Sequence, residues 1–311
     1  MLPLTFMKKS EKERDLIVNR YYDYLREKKR ERKHIEKIEN WCETYLNKID
    51  SVDYSFEMVI KANPDTLKKI KLRIDEKLRK KDINKELEHL TPSGNRRCYI
   101  KDTLYEDMPE SARNYLVDSL DVRVCPYCNR NYVYSSDGYR TCQLDHYYSK
   151  NRYPILAISF YNLIPVCASC NLHKKEEEFE FYPHDLNSID EMLKFSFELN
   201  GPDYLKNRDD VKVILVESKP KYCKQIEKLG LAKLYQKHND IVQEIIRKSQ
   251  LNSDEYIHSL YEENKDIFES EMEVESMVYS NYLRDDEVSL RSLGKLTRDI
   301  VMELKEYKKF I

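Results

Sequence analysis

Cys125-Pro126-Tyr127-Cys128 and Cys167-Ala168-Ser169-Cys170 frame the decisive stretch of this chain, with Leu144-Asp145-His146-Tyr147-Tyr148-Ser149-Lys150 between them and Asn171-Leu172-His173-Lys174 directly after. Two residues between cysteines let both thiolates of a knuckle reach one tetrahedral Zn²⁺ at about 2.3 Å, and two knuckles complete a closed four-thiolate site. A redox role would need only one pair and is expected near a βαβ pattern, which the flanking sequence lacks. Cys125, Cys128, Cys167 and Cys170 are therefore expected to hold a structural zinc. Cys42, Cys98, Cys142 and Cys223 stand singly and are expected to be small buried hydrophobes.

Outward from the knuckles, residues 122–182 are rich in Tyr, Cys, Asn and Pro. Tyr132-Val133-Tyr134 and the run from Tyr139 to Leu144 are β-prone, and Ser135-Ser136-Asp137-Gly138 between them carries an Asp-Gly hairpin signal. On the N-terminal side, apolar residues from Leu16 to Ile49 recur at spacings near three and four and predict a long helix over 8–50. Asn63-Pro64-Asp65 opens a second helical stretch, which Thr91-Pro92-Ser93-Gly94-Asn95 closes, and a short helix is predicted from Pro109 to Leu120. On the C-terminal side, Leu193–Leu199 and Val211–Val216 read as strands, and helical periodicity returns from Tyr222. The expected fold class is α+β and mostly helical. A small metal-rich module over 122–185 lies between a helical region over 1–121 and a region over 186–311 of short strands followed by helices.

Composition narrows the function. With 311 residues, 41% hydrophobic and 35% charged, the chain is too apolar for disorder and too polar for a membrane protein. Met1 to Ser10 turns charged before a secretory core could form, so a cytoplasmic protein is expected. Only 5 Gly are present, and neither a P-loop nor a dinucleotide fingerprint is found. A formal net charge of −2 conceals a basic front, with runs from Lys8 to Lys33 and from Lys68 to Lys85, and an acidic stretch from Asp254 to Glu275. Nucleic acid responds to such local patches rather than to the sum. Acidic partners such as Glu27, Glu31 and Glu36 also suit these runs to plain solvated helix faces.

The order C-x-x-C, Asp145-His146, Asn162-Leu163-Ile164, then C-x-x-C followed by Asn171 and Lys174, resembles the HNH endonuclease family. The resemblance covers roughly Val122 to Lys175 and implies a ββα-metal module with a structural zinc on the four cysteines and one catalytic divalent metal. Phosphodiester hydrolysis needs a base, and His146, titrating near neutrality, is the natural choice. By the resemblance, Asp145 and Asn171 bind the catalytic metal, for which oxygen ligation favours Mg²⁺ or Mn²⁺. Asn162 would fix the loop and orient the imidazole. Lys174, on the helical face of Asn171, is a candidate phosphate contact or a solvated lysine. Lys150 and His173 are further candidate nucleic-acid contacts. His184, in Tyr182-Pro183-His184-Asp185, lacks flanking knuckles and is set aside. Tyr147, Tyr148, Tyr153, Phe160 and Tyr161 are expected to pack the module more than to stack on bases.

The surrounding residues, Tyr147-Tyr148-Ser149-Lys150, Tyr153-Pro154-Ile155-Leu156-Ala157 and Leu163-Ile164-Pro165-Val166, look like the HNH subunits of Septu-type and retron-associated bacterial anti-phage systems. That likeness implies a bacterial host, a defence role and an ABC-type ATPase partner that gates the nuclease. Nucleic acid is the expected substrate, DNA ahead of RNA, with no membrane association and with oligomerisation left open. The alternatives are a non-catalytic zinc-stapled nucleic-acid-binding module and an interaction scaffold.

Overall fold

The computed structural model describes residues 2–27, 32–79, 104–136, 138–186 and 188–308. The closing turn at Thr91 to Asn95, Cys98, parts of both basic runs and Asp137 lie outside the described residues. The protein is α+β, about half helical, with three two-stranded antiparallel sheets among the described residues. It divides into two units, residues 4–121 with 134–185 and residues 1–3 with 122–133 and 186–311.

In the first unit, α1 spans Glu11–Glu27, α2 Arg32–Tyr45, α3 Phe56–Lys61, α4 Pro64–Arg79 and α5 Glu110–Leu120. The N-termini follow local chemistry. Ser55 accepts from Met58 N at 3.2 Å at the start of α3, Asn63 Oδ1 accepts from Thr66 N at 2.9 Å at the start of α4, and Pro109 precedes α5. The helical stretch predicted over 8–50 is described as α1 and α2 and ends at Tyr45, ahead of the turn in which Lys48, Asp50 and Ser51 take positive φ.

Strands β1 (Ser135–Ser136) and β2 (Tyr139–Arg140) form the hairpin, with Ser136 opposite Tyr139 and Gly138 at φ 86°. The two serines expected in the turn are strand residues, because Gly138 makes a two-residue connection sufficient. The expected strand from Tyr139 to Leu144 is broken. Its end belongs instead to β3 (Gln143–His146), which pairs antiparallel with β4 (Leu163–Val166) before α6 (Ala168–Lys174).

Buried rings fill this unit's core. Phe160 contacts Phe6 at 5.4 Å and Tyr21 at 5.3 Å between centroids, and the Tyr21 hydroxyl donates to Ile158 O at 2.9 Å. Tyr147, Tyr148, Tyr153, Phe160 and Tyr161 are all buried. Asp75 of α4 accepts from Arg152 at 2.7 Å and from the Tyr153 hydroxyl at 2.9 Å, fastening the segment after β3 to α4.

The second unit pairs β5 (Leu193–Leu199) with β6 (Val211–Glu217), matching both predicted strands. Its helices are α7 (Cys223–Lys228), α8 (Leu231–Tyr235), α9 (Asn239–Leu251), α10 (Asp254–Glu263), α11 (Glu271–Val278) and α12 (Gly294–Lys308). Alternate residues Leu193, Phe195, Val211 and Val213 point into the core. Buried Lys295 pairs with Asp299 at 2.8 Å and Asp190 at 2.6 Å, while Asp299 also accepts from Phe195 N. No helix among the described residues is long and apolar enough to cross a membrane.

Candidate functional site

The first knuckle is a tight turn. Cys128 N and Asn129 N both donate to Cys125 O, at 3.3 and 2.8 Å, and Asn129 takes φ 52°. Asn129 is fully buried; its amide donates to Val288 O at 3.2 Å and its oxygen accepts from Lys295 N at 2.9 Å. In the second knuckle Cys167 caps α6 and Cys170 lies in its first turn. The sulfurs of Cys125, Cys128, Cys167 and Cys170 are all buried and lie within 4.8 Å of one another. Four thiolates around a tetrahedral Zn²⁺ are separated by about 3.8 Å, so the donor set suits a metal such as zinc. Of the single cysteines, Cys42 is buried, whereas Cys142 is half-buried and Cys223 exposed, contrary to expectation.

The Asp145-His146 pair is built by a strand meeting a helix. Gln143 and Asp145, two apart on β3, share one face of the strand, and Asn171 and Lys174, three apart on α6, share one face of the helix. They interlock. Asn171 Nδ2 donates to Gln143 Oε1 at 2.7 Å, and Lys174 Nζ lies 3.1 Å from Asp145 Oδ2. The same ammonium donates to His146 O at 2.9 Å. Lys174 is 0% and Asp145 2% exposed. Lys174 is thus neither a solvated lysine nor a phosphate contact, because its charge is consumed beneath the strand. Spacing on the helix fixed its side but not that β3 covers it.

β3 ends at His146, so the imidazole leaves the ladder beside the next segment. His146 Nε2 lies 3.1 Å from Ala157 O. A carbonyl only accepts, so Nε2 carries the proton and Nδ1 keeps its lone pair. The Tyr105 ring meets the imidazole edge-on at 4.5 Å. Burial foremost, then the charge of Lys150, with smaller contributions from Lys174 and Arg113, pushes the His146 pKa down to about 3 against the pull of the Ala157 carbonyl. The ring is therefore neutral at physiological pH, and the titration near neutrality expected of it is displaced downward by burial.

Asn162 is fully buried and locks the segment that supplies Ala157. Its amide donates to Tyr148 O at 3.1 Å and Leu156 O at 2.9 Å, and its oxygen accepts from Tyr148 N at 2.8 Å. It therefore fixes the loop, while the bond to the imidazole expected of it is made by Ala157 O. His173 is exposed and bonded through Nδ1 to Ser169 O at 2.7 Å, four residues back on α6. That bond holds the ring against its own helix. His184 is buried, packed edge-on against Phe6, Tyr161 and Tyr182, with neither ring nitrogen hydrogen-bonded among the described residues.

His146, Asp145 and Asn171 line one open cavity of about 460 Å³, with Lys150 and Lys175 on its wall. Sequence reading missed further lining residues, among them Tyr105, Arg113 of α5, Arg140 of β2, half-buried Cys142 and Glu176. No motif marks them. The Tyr105 ring carries the Arg113 guanidinium at 4.4 Å and the Lys150 ammonium at 4.9 Å from its centroid. The cavity therefore sets a neutral imidazole and the carboxylates of Asp145 and Glu176 among four cations. Comparison of the chain with protein-family models, with curated proteins and with solved structures finds no match.

Proposed function

We propose that this protein is an HNH-type endonuclease that hydrolyses nucleic-acid phosphodiester bonds, DNA ahead of RNA. The observation that carries the reading is the His146 imidazole. It is neutral and fixed through Nε2, which leaves Nδ1 as its basic nitrogen, and it lines a cavity rimmed by Arg113, Arg140, Lys150 and Lys175. Nδ1 takes the proton of the attacking water as the water adds to phosphorus, the bond from phosphorus to the leaving oxygen breaks, and that oxygen takes up a proton from solvent. The bond to Ala157 O holds the ring in the acting tautomer, and Asn162 holds Ala157 indirectly through Leu156 and Tyr148. Lys150 draws the phosphate into the cavity and offsets its charge.

Asp145 and Asn171 suit a hard divalent cation, Mg²⁺ or Mn²⁺, since both offer oxygen and both line the cavity. Such a cation supplies charge neutralisation at the phosphate and the leaving oxygen. Lys174 bonds both Asp145 oxygens, at 3.2 and 3.1 Å, and so holds the carboxylate in one orientation. The defence role and the gating ATPase belong to the same proposal and rest on the likeness of the residues around Asp145-His146 and Asn162.

Nicking of supercoiled plasmid during titration with Mn²⁺ tests the metal assignment. Asn171→Ala and Asp145→Asn are expected to raise the Mn²⁺ concentration for half-maximal cutting at least tenfold. Cutting by either variant at the wild-type metal dependence would remove that residue from the site.

A further inference from the structure

Arg140 stands outside the Asp145-His146 motif, on the short strand β2, yet it lines the same cavity. Its side chain is 20% exposed and makes one hydrogen bond among the described residues, donating to Glu110 Oε2 at 2.8 Å. Arg113, one turn along α5 from Glu110, reaches the other oxygen, with Nε 3.6 Å from Oε1. The two arginines are not equivalent. Arg113 is committed to the backbone, donating to the carbonyls of Met108 and Tyr105 and thereby holding the loop that carries the Tyr105 ring. Among the described residues, Arg140 has the rest of its planar fork unspent. Glu110 is 66% exposed, so its carboxylate is a water-accessible plug on a recessed cation. A carboxylate gripped by guanidinium groups is the isostere of a phosphate gripped by them.

We propose that Arg140 forms a second phosphate subsite, which takes a backbone phosphate flanking the one to be cut, and that Glu110 occupies this subsite in the free protein. The proposal rests on the nuclease reading for the identity of its ligand, a nucleic-acid strand. An incoming strand displaces Glu110, whose carboxylate turns to water at small cost because it is already exposed. Arg140 then exchanges one anion for another, and Glu110 sets a threshold that excludes ligands offering a single phosphate.

The test is equilibrium binding of a fluorescent DNA duplex to the zinc-loaded full chain carrying His146→Ala, without added divalent cation, across a range of salt. Each phosphate contact contributes about 0.9 to the slope of log K against log salt on duplex DNA. Arg140→Ala is expected to flatten the slope by about one and weaken binding at least tenfold at low salt, while Arg140→Lys keeps the slope. Glu110→Gln is expected to tighten binding threefold or more, and only when Arg140 is present. Inorganic phosphate is expected not to compete at millimolar concentration. An unchanged slope in a folded Arg140→Ala, or a neutral Glu110→Gln, overturns the subsite while salt-dependent binding by the parent leaves the nuclease reading standing. Absence of salt-dependent binding by the parent overturns both.

Discussion

Lys174 and Asp145 bury opposite charges against each other, 0% and 2% exposed, so the loss of either leaves the other uncompensated. Lys174→Met is expected to cost about 3–5 kcal/mol, read as a lowered urea midpoint with unchanged slope; a cost below about 1 kcal/mol would show that the pair is hydrated in solution. His184 gives a pH signature. With both nitrogens unbonded among the described residues, burial pushes its pKa down to about 3, against about 6.5 in the unfolded chain. The unfolded state therefore binds the proton first as pH falls. Stability is full above about pH 6.5 and is lost toward about pH 3, with about 2 kcal/mol gone by about pH 5. Denaturant titrations at neutral pH and at about pH 5 check this, and His184→Phe is expected to remove that share of the loss. An equal loss in the variant would assign it elsewhere.

At the scale of elements, the end of α6 carries a conflict. Lys175 follows the helix at φ 56°, ψ −128°, a region that a side chain occupies at a cost of about 1–3 kcal/mol and glycine does not. The residue lines the cavity, so the backbone strain and a cavity charge fall at one position. Lys175→Gly is expected to raise the melting temperature while weakening duplex binding, and a fall in both would contradict this account. The same elements show what was legible in sequence. Both C-x-x-C knuckles, the β5 and β6 strands and the Pro109 start of α5 depend on neighbouring residues, and local pattern located them. Lys174 was misread because helical spacing does not reveal which element covers a face. The bond expected between Asn162 and the imidazole goes to Ala157, because backbone carbonyls leave no mark in a sequence. Arg113 and Arg140 were missed for a related reason, as tertiary packing alone brings α5 and β2 to one cavity.

For the whole molecule, the four buried cysteine sulfurs are the strongest constraint. Thiolates brought this close and left without a cation repel one another, so metal affinity becomes folding free energy, about 10–16 kcal/mol apparent in small zinc sites. One zinc per chain is expected by elemental analysis. Cys170→Ser or chelation is expected to lower the melting temperature by at least about 10 °C, whereas a metal-free chain melting at the same temperature would remove the zinc from the account. Whether His146 acts as the base is decided by one comparison. Purified wild-type and His146→Ala proteins, matched for zinc content and melting temperature, are incubated with supercoiled plasmid and with labelled RNA in Mg²⁺ or Mn²⁺. Metal-dependent cutting that falls by about 10²–10⁴ in the variant is the predicted result. Equal cutting by both proteins, or none by either, would contradict it.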